Sequence, residues 1–222
     1  MSPRLSAPPR PQKITERLGD IRYDVGMVNR KQRLKRLPAE CYLGHAWVHW
    51  TFAIQDRKEG WLDARFLYKF RELLTHVAFR DQIACPIFCL MPDHMHLLWC
   101  GLAESSDQIL AAKHLRSDLN DCFRRIGYQL QTQAYDHVLK DDELELGAIE
   151  AVAEYIARNP ERKKLVGVDQ FAKYPYTNCL LPGYPQLRLF QADSWNRVWR
   201  TLSFLKRTNC HRFPDPKYAN RS

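Results

Sequence analysis

The sequence predicts an α+β fold in which an antiparallel sheet carries helices on one face. Short runs rich in aromatic and β-branched residues alternate with longer segments whose apolar residues recur at helical spacing. Two of the short runs follow each other across a Pro-Asp connection, which is typical of a hairpin. Apolar residues make up 45% of the 222 residues, which is enough for a core of ordinary size.

The individual elements can be placed in order along the chain. Strands are expected at 47–54, 83–91, 94–100 and 128–139, and helices at 62–80, 107–126, 143–159 and 193–206. Pro86 indicates an edge or a bulge in the second strand. Asp107 suits a helix cap, and Pro160 should end the third helix at or before Asn159. The order β-α-β-β-α-β-α predicts a ferredoxin-like split βαβ arrangement followed by a helical extension.

Charge and composition divide the chain into three regions. We expect a basic, flexible N-terminal arm at 1–41, a folded domain at 42–180 and a C-terminal extension with one helix at 181–222. The formal net charge of +9 favours a polyanionic partner, nucleic acid before an anionic membrane surface. No apolar run is long enough to span a bilayer, so no membrane partner is expected. Seven cysteines without a CxxC pair argue against a disulfide framework or a zinc ribbon and favour a reducing cytoplasm.

The most informative segment is MPDHMHLLW at 91–99. His94 and His96 are two residues apart, so in a strand their side chains project from the same face, whereas Met95 and Leu97 face the other way. Neighbouring neutral imidazoles suit a metal ion. Taken alone, the pair also fits an incidental arrangement of two histidines.

A second segment, EYIARNPERKKLV, occupies 154–166. Tyr155 and Asn159 are four residues apart in the predicted third helix and therefore share a face. The amide oxygen of Asn159 is a hard ligand suited to Mg²⁺ or Mn²⁺. The alternative is a core-facing tyrosine and an asparagine that caps the helix before Pro160.

Together the two segments resemble the motifs of a known family, the single-tyrosine HUH transposases, and within it the REP-associated tyrosine transposases. The family pattern is a strand with His-hydrophobic-His and a later helix with Tyr-Ile-x-x-Asn-Pro, which MPDHMHLL and YIARNPERKKLV match. YDHVLKDDE at 135–143 and YPYTN at 174–178 also resemble family segments, so the resemblance covers roughly 42–180. The first strand, VHWTFAIQDR, lacks the short Gly/Asn ending that is usual there.

The resemblance implies a metal-dependent enzyme that nicks and joins single-stranded or hairpin DNA in a bacterial cytoplasm, at the nucleoid when bound to DNA. By match to the motifs, His94, His96 and Asn159 would bind Mg²⁺ or Mn²⁺, and Tyr155 would form a covalent 5′-phosphotyrosine. Family members occur as monomers and as homodimers. Basic side chains at two places could contact phosphates or could simply be solvated: Arg158, Arg162, Lys163 and Lys164 near the tyrosine, and Lys31, Arg33, Lys35 and Arg36 in the arm.

Three other interpretations stay open. A domesticated or inactive relative would bind hairpin DNA or RNA without moving an element. A basic nucleic-acid-binding module would use the histidines and the tyrosine only structurally, and a hydrolytic zinc enzyme would not need Tyr155. Among the remaining histidines, His137 fits a sheet or core position better than a ligand. No partner pattern is evident for His45, His49, His76, His114 or His211.

Overall fold

A sheet of five antiparallel strands forms the centre of the fold. The computed structural model describes residues 36–139, 147–185 and 187–208. The strands are β1 (Trp47–Ala53), β2 (Ile83–Met91), β3 (His94–Gly101), β4 (Tyr135–Leu139) and β5 (Thr177–Leu180). Their order across the sheet is β4-β1-β3-β2-β5. The first four strands have the order of a split βαβ fold, so the predicted fold class is confirmed.

Within the described residues, five α-helices accompany the sheet. They are α1 (Ala64–Arg80), α2 (Gln108–Arg124), α3 (Ala148–Ala157), α4 (Asn159–Arg162) and α5 (Ser194–Thr208). Asp107 caps α2 as predicted, because its carboxylate accepts a hydrogen bond of 3.0 Å from the Leu110 amide. The third helix ends at Ala157, and Pro160 lies in the first turn of α4, where a proline is tolerated. None of the described helices is long and apolar enough to cross a membrane.

Helices cover both faces of the sheet, whereas the sequence predicted helices on one face only. Helices α1 and α2 lie on one face and pack on the side chains of Val48, Trp50 and Phe52. Helices α3 and α5 form a second apolar cluster on the opposite face, with Trp47 and Leu98. The physical reason is that every residue of β1, β2 and β3 is buried, so neither face can be left to solvent.

Two features of β2 and β3 follow the sequence closely. The register of the β2–β3 pair shifts between Ala84 and Ile87, which is the bulge that Pro86 predicted. Met91 pairs with His94, so a two-residue Pro-Asp turn joins the strands. The Ile54 amide donates to the Asp93 carbonyl at 3.0 Å and holds this turn against the end of β1.

Two strands differ from the prediction. The fourth strand begins only at Tyr135, because the preceding chain turns and makes a single bridge between Leu130 and Ile54. Strand β5 was missed: its four residues directly follow the YPY run and pair with β2. The third helix was predicted from 143, but 140–146 lie outside the described residues, as do 1–35 of the N-terminal arm.

Candidate site for a metal and a tyrosine nucleophile

The two imidazoles of β3 lie side by side, as the two-residue period of a strand predicted. His94 and His96 are buried and face the α3 side of the sheet, opposite Met95 and Leu97. Their Nε2 atoms are 2.9 Å apart and face each other. Two ring nitrogens so placed can share one electrophile, either a proton or a metal ion.

The other ring nitrogen of His94 is held by the hairpin turn. Nδ1 of His94 lies 2.5 Å from Oδ1 of Asp93, and Oδ2 of Asp93 accepts a hydrogen bond of 3.0 Å from Arg57. Burial raises the pKa of Asp93, but His94, Arg57 and Lys163 together bring this pKa below its usual value. Asp93 is therefore ionised at neutral pH and can orient His94.

The loop that supplies Arg57 has an unusual backbone. Asp56 and Arg57 both adopt left-handed conformations, with φ of 57° and 56°. Gly and Asn reach this region more easily than other residues. Strained residues of this kind are frequent beside functional sites, and here they carry the guanidinium that contacts Asp93.

The other ring nitrogen of His96 is held by β1. Thr51 lies opposite His96 in the β1–β3 register. Nδ1 of His96 is 3.0 Å from Nε2 of His49 and 3.1 Å from the Thr51 hydroxyl oxygen. Burial, with the nearby His137 and His94, lowers the pKa of His49 to about 3, so His49 is a neutral imidazole.

His49 and Thr51 are site residues for which the sequence predicted no role. A partial signal existed, because alternation along β1 puts both residues on the face opposite Trp50 and Phe52. What the sequence could not supply was the register with β3. His137 is a half-buried sheet residue that pairs with His49 across β1 and β4, in agreement with its prediction.

Tyr155 lies beside this histidine cluster. Its ring is half-buried and meets the rings of His49 and His96 edge-on, each with a centroid distance of 6.1 Å. Burial raises the pKa of Tyr155 and Tyr135 adds to this rise, whereas Arg162 lowers the pKa. The helix and the strand thus bring together the tyrosine and the two histidines that the sequence singled out.

Arg162 lies over the ring of the tyrosine. Its guanidinium carbon lies 4.2 Å from the ring centroid of Tyr155, in cation–π contact. Its Nη1 also donates to the Tyr155 carbonyl at 3.0 Å, which ties the first turn after α3 to the end of that helix. A positive charge is therefore fixed directly at the phenol.

Asn159 is buried one helical turn after Tyr155. Its Nδ2 donates to the carbonyls of Tyr155 at 3.0 Å and Ile156 at 3.4 Å, so the amide does stabilise the helix end. This leaves Oδ1 as the atom with ligand character. Within the described residues, no group of three or more His, Cys, Asp or Glu side chains could hold a metal. A metal bound by the two imidazoles would need oxygen ligands from elsewhere, such as an amide or a phosphate.

The basic residues of the tyrosine segment have different environments. Arg158 is engaged by Glu154, Glu161 and Asp169 at 2.8 to 3.2 Å, and it stacks on Phe171. Its charge is thus already neutralised, and its contacts hold the end of α3 against the segment that carries Asp169 and Phe171. Lys163 and Lys164 are exposed, as is Arg162.

Arg36, the candidate basic residue of the N-terminal arm that lies within the described residues, is not brought to the histidine cluster. Arg36 pairs with Asp136 at 2.9 Å and lies over Trp50, on the sheet face opposite the imidazoles. Lys31, Arg33 and Lys35 lie outside the described residues.

Comparison with known proteins supports the fold. No model of a known protein family matches the chain, and no curated protein does. Among solved structures, the chain is similar to that of a REP-associated tyrosine transposase bound to a REP hairpin. The two are 15% identical with a TM-score of 0.54, over 66% of this chain and 81% of the other. At this identity, the similarity shows that the chain shares the α+β fold of that transposase.

Proposed function

We propose that this chain is a metal-dependent enzyme that nicks and joins single-stranded DNA through Tyr155. The observation that carries the proposal is the placement of a half-buried tyrosine against two imidazoles whose Nε2 atoms face each other at 2.9 Å. A core tyrosine has no need of such a neighbour, and a buried pair of histidines is costly unless the pair is satisfied. The fold similarity to a transposase bound to a DNA hairpin supports the same function.

A divalent metal, Mg²⁺ or Mn²⁺, would be held by His94, His96 and the Asn159 amide oxygen. When bound, it would supply charge neutralisation and polarisation at a phosphate oxygen. The residues fit this role because Nδ1 of each histidine already has a protein partner, which leaves both Nε2 atoms as the inward-facing donors. Imidazoles with an amide and phosphate oxygens form a mixed nitrogen and oxygen set that suits Mn²⁺ and accommodates Mg²⁺.

Tyr155 would be the nucleophile. Its phenol oxygen forms a bond to phosphorus while the bond from phosphorus to the 3′ oxygen breaks. The phenol proton is lost to solvent, and the leaving oxygen gains a proton to become a 3′-hydroxyl. Attack of a 3′-hydroxyl on the 5′-phosphotyrosine reverses these changes and joins strands without an external energy source.

Arg162 supplies the positive field that a buried phenol needs. Burial alone would make Tyr155 a poor nucleophile at neutral pH, because its pKa rises. The guanidinium over the ring opposes this rise and can also contact the phosphate that Tyr155 attacks. Exposed Lys163 and Lys164 extend the positive charge away from the site for the DNA backbone.

The test is covalent capture of labelled DNA. The full chain is incubated with Mn²⁺ or Mg²⁺ and a set of end-labelled single-stranded hairpins, and protein–DNA adducts are separated under denaturing conditions. We expect an adduct that is lost in Tyr155→Phe and retained in Tyr68→Phe, which changes an exposed tyrosine on α1. An adduct that instead disappears in Tyr135→Phe would assign the nucleophile to β4 and contradict the proposal.

Two other outcomes would favour other functions. Cleavage that survives Tyr155→Phe would identify a hydrolytic metal enzyme. Tight hairpin binding with neither cleavage nor adduct over the whole hairpin set would identify a binding module.

A further inference from the structure

We propose that His49 and Thr51 are positioning residues that hold Nδ1 of His96 and thereby aim its Nε2 at His94. The inference rests on the proposed function, because it assigns the residues that prepare one ligand of the proposed metal. Neither residue belongs to the motifs on which that function was based.

The geometry that carries the inference comes from β1. His49 and Thr51 project from the sheet face that carries His96, and both contact the same atom, Nδ1, at 3.0 and 3.1 Å. All three side chains are buried, so water cannot replace either contact without opening the sheet. Strand β1 is also paired on both sides, by β3 and β4, which fixes the positions of both residues.

Proton placement gives these contacts a function. An imidazole nitrogen binds a metal only when it carries no proton, so with a metal on Nε2 the proton of the His96 ring would have to sit on Nδ1. A proton on Nδ1 needs an acceptor. Nε2 of His49 is one when the proton of that neutral ring is on its own Nδ1, and the Thr51 hydroxyl oxygen is another.

Each contact can donate or accept, because a hydroxyl group and the Nε2 of a neutral imidazole can both do either. Either proton position of His96 therefore keeps its Nδ1 bonded to β1. Two buried contacts to one atom fix the ring of His96. We expect His49 to contribute more than Thr51, because its ring also packs against that of His96 with a centroid distance of 5.1 Å.

His94 has the same arrangement from a different source. Its Nδ1 contacts the Asp93 carboxylate, which comes from the hairpin turn of β2 and β3. Each imidazole is thus oriented through Nδ1 by a separate part of the fold, and the two Nε2 atoms meet between them. Outer contacts of this kind commonly change metal affinity by about 10–100-fold.

The first experiment reads the ring of His96 without metal or DNA. The full chain is labelled with ¹⁵N-histidine, and the ring nitrogens of His96 are assigned by comparison with His96→Gln. We expect the Nδ1 resonance of His96 to shift in His49→Phe and in Thr51→Val, and to stay in place in Thr177→Val. An unshifted Nδ1 resonance in both folded variants would overturn the inference, whatever the fate of the nuclease proposal.

The second experiment measures affinity for Mn²⁺ by electron paramagnetic resonance. We expect His49→Phe to weaken binding by about 10–100-fold and His49→Gln, which offers an amide oxygen as acceptor, to restore part of the loss. Thr51→Val is nearly isosteric and should weaken binding less. Thr177→Val is the matched control, since it removes a buried hydroxyl that contacts Cys89 rather than a histidine.

Folding is checked by circular dichroism, and the outcomes are separable. If His49→Phe does not fold, His49→Gln and Thr51→Val still decide. Folded His49→Phe with wild-type Mn²⁺ affinity and an unshifted Nδ1 resonance of His96 would overturn the inference. If the wild-type chain forms no adduct and binds no Mn²⁺, the proposed function fails, whereas the Nδ1 resonance of His96 still tests the contact between His49 and His96.

Discussion

Replacing Arg162 with Gln should make Tyr155 a weaker nucleophile at neutral pH. The guanidinium carbon lies 4.2 Å from the ring centroid, and its charge lowers the pKa of the phenol. A charge pair at about 4 Å is worth about 1 kcal/mol in water and about 4 kcal/mol near a protein surface. Because Arg162 is exposed, solvent screening favours the low end of this range, about 1–2 kcal/mol. That corresponds to a roughly tenfold loss of phenolate at a fixed pH.

The sign of the pH effect follows from the chemistry. The reactive form is the phenolate, so the rate rises with pH until the pKa of Tyr155 is reached. Removing the guanidinium raises that pKa further, which moves the rising limb to higher pH. We therefore expect Arg162→Gln to lose about tenfold in rate near neutral pH and to recover much of this loss in alkaline buffer.

The assay is single-turnover adduct formation on a labelled hairpin at saturating DNA, followed from neutral to alkaline pH. Arg162→Lys keeps the charge and should be intermediate. Arg200→Gln removes the same charge from α5, where its Nε donates to the Asn196 carbonyl, and controls for net charge. A rate loss that is equal at every pH would mean that Arg162 acts only on DNA binding or structure, and the field argument would be refuted.

Two further predictions concern the histidine cluster. Because the pKa of His49 is about 3 when folded and near 6.5 when unfolded, the unfolded chain binds more protons between these values, so stability falls as pH drops below about 6.5. Urea denaturation should show a loss of about 2 kcal/mol between pH 6.5 and pH 5, and a flat profile would contradict the neutral buried imidazole. Asp93→Asn removes the charge behind His94 and should weaken Mn²⁺ binding by about tenfold. Asp107→Asn, at the cap of α2, should leave Mn²⁺ affinity unchanged.

Much of the fold could be predicted because local patterns were consistent with it. The bounds of β2 were predicted without error, and those of β1, β3, α1 and α2 to within two residues at each end. These elements have strong periodicity, clear caps or a Pro-Asp turn. Strand β5 lacks all three, since only its pairing with β2 makes its four residues a strand.

The site was predicted in part for the same reason. The shared face of His94 and His96 follows from the two-residue period of a strand, and the adjacency of Tyr155 and Asn159 follows from the turn of a helix. The roles of these four residues remain proposals. Arg158, which looked equivalent to Arg162 in the sequence, is instead neutralised by three carboxylates, two of which lie within one turn of it.

The sequence by itself determined which residues share a face within one strand or one helix, because those relations depend only on local backbone geometry. The tertiary structure decided which residues of other strands and helices contact them. The β1–β3 register brought His49 and Thr51 to His96, and the packing of α3 on the second sheet face brought Tyr155 to the same cluster. Such contacts join residues far apart in the chain, and no local period encodes them.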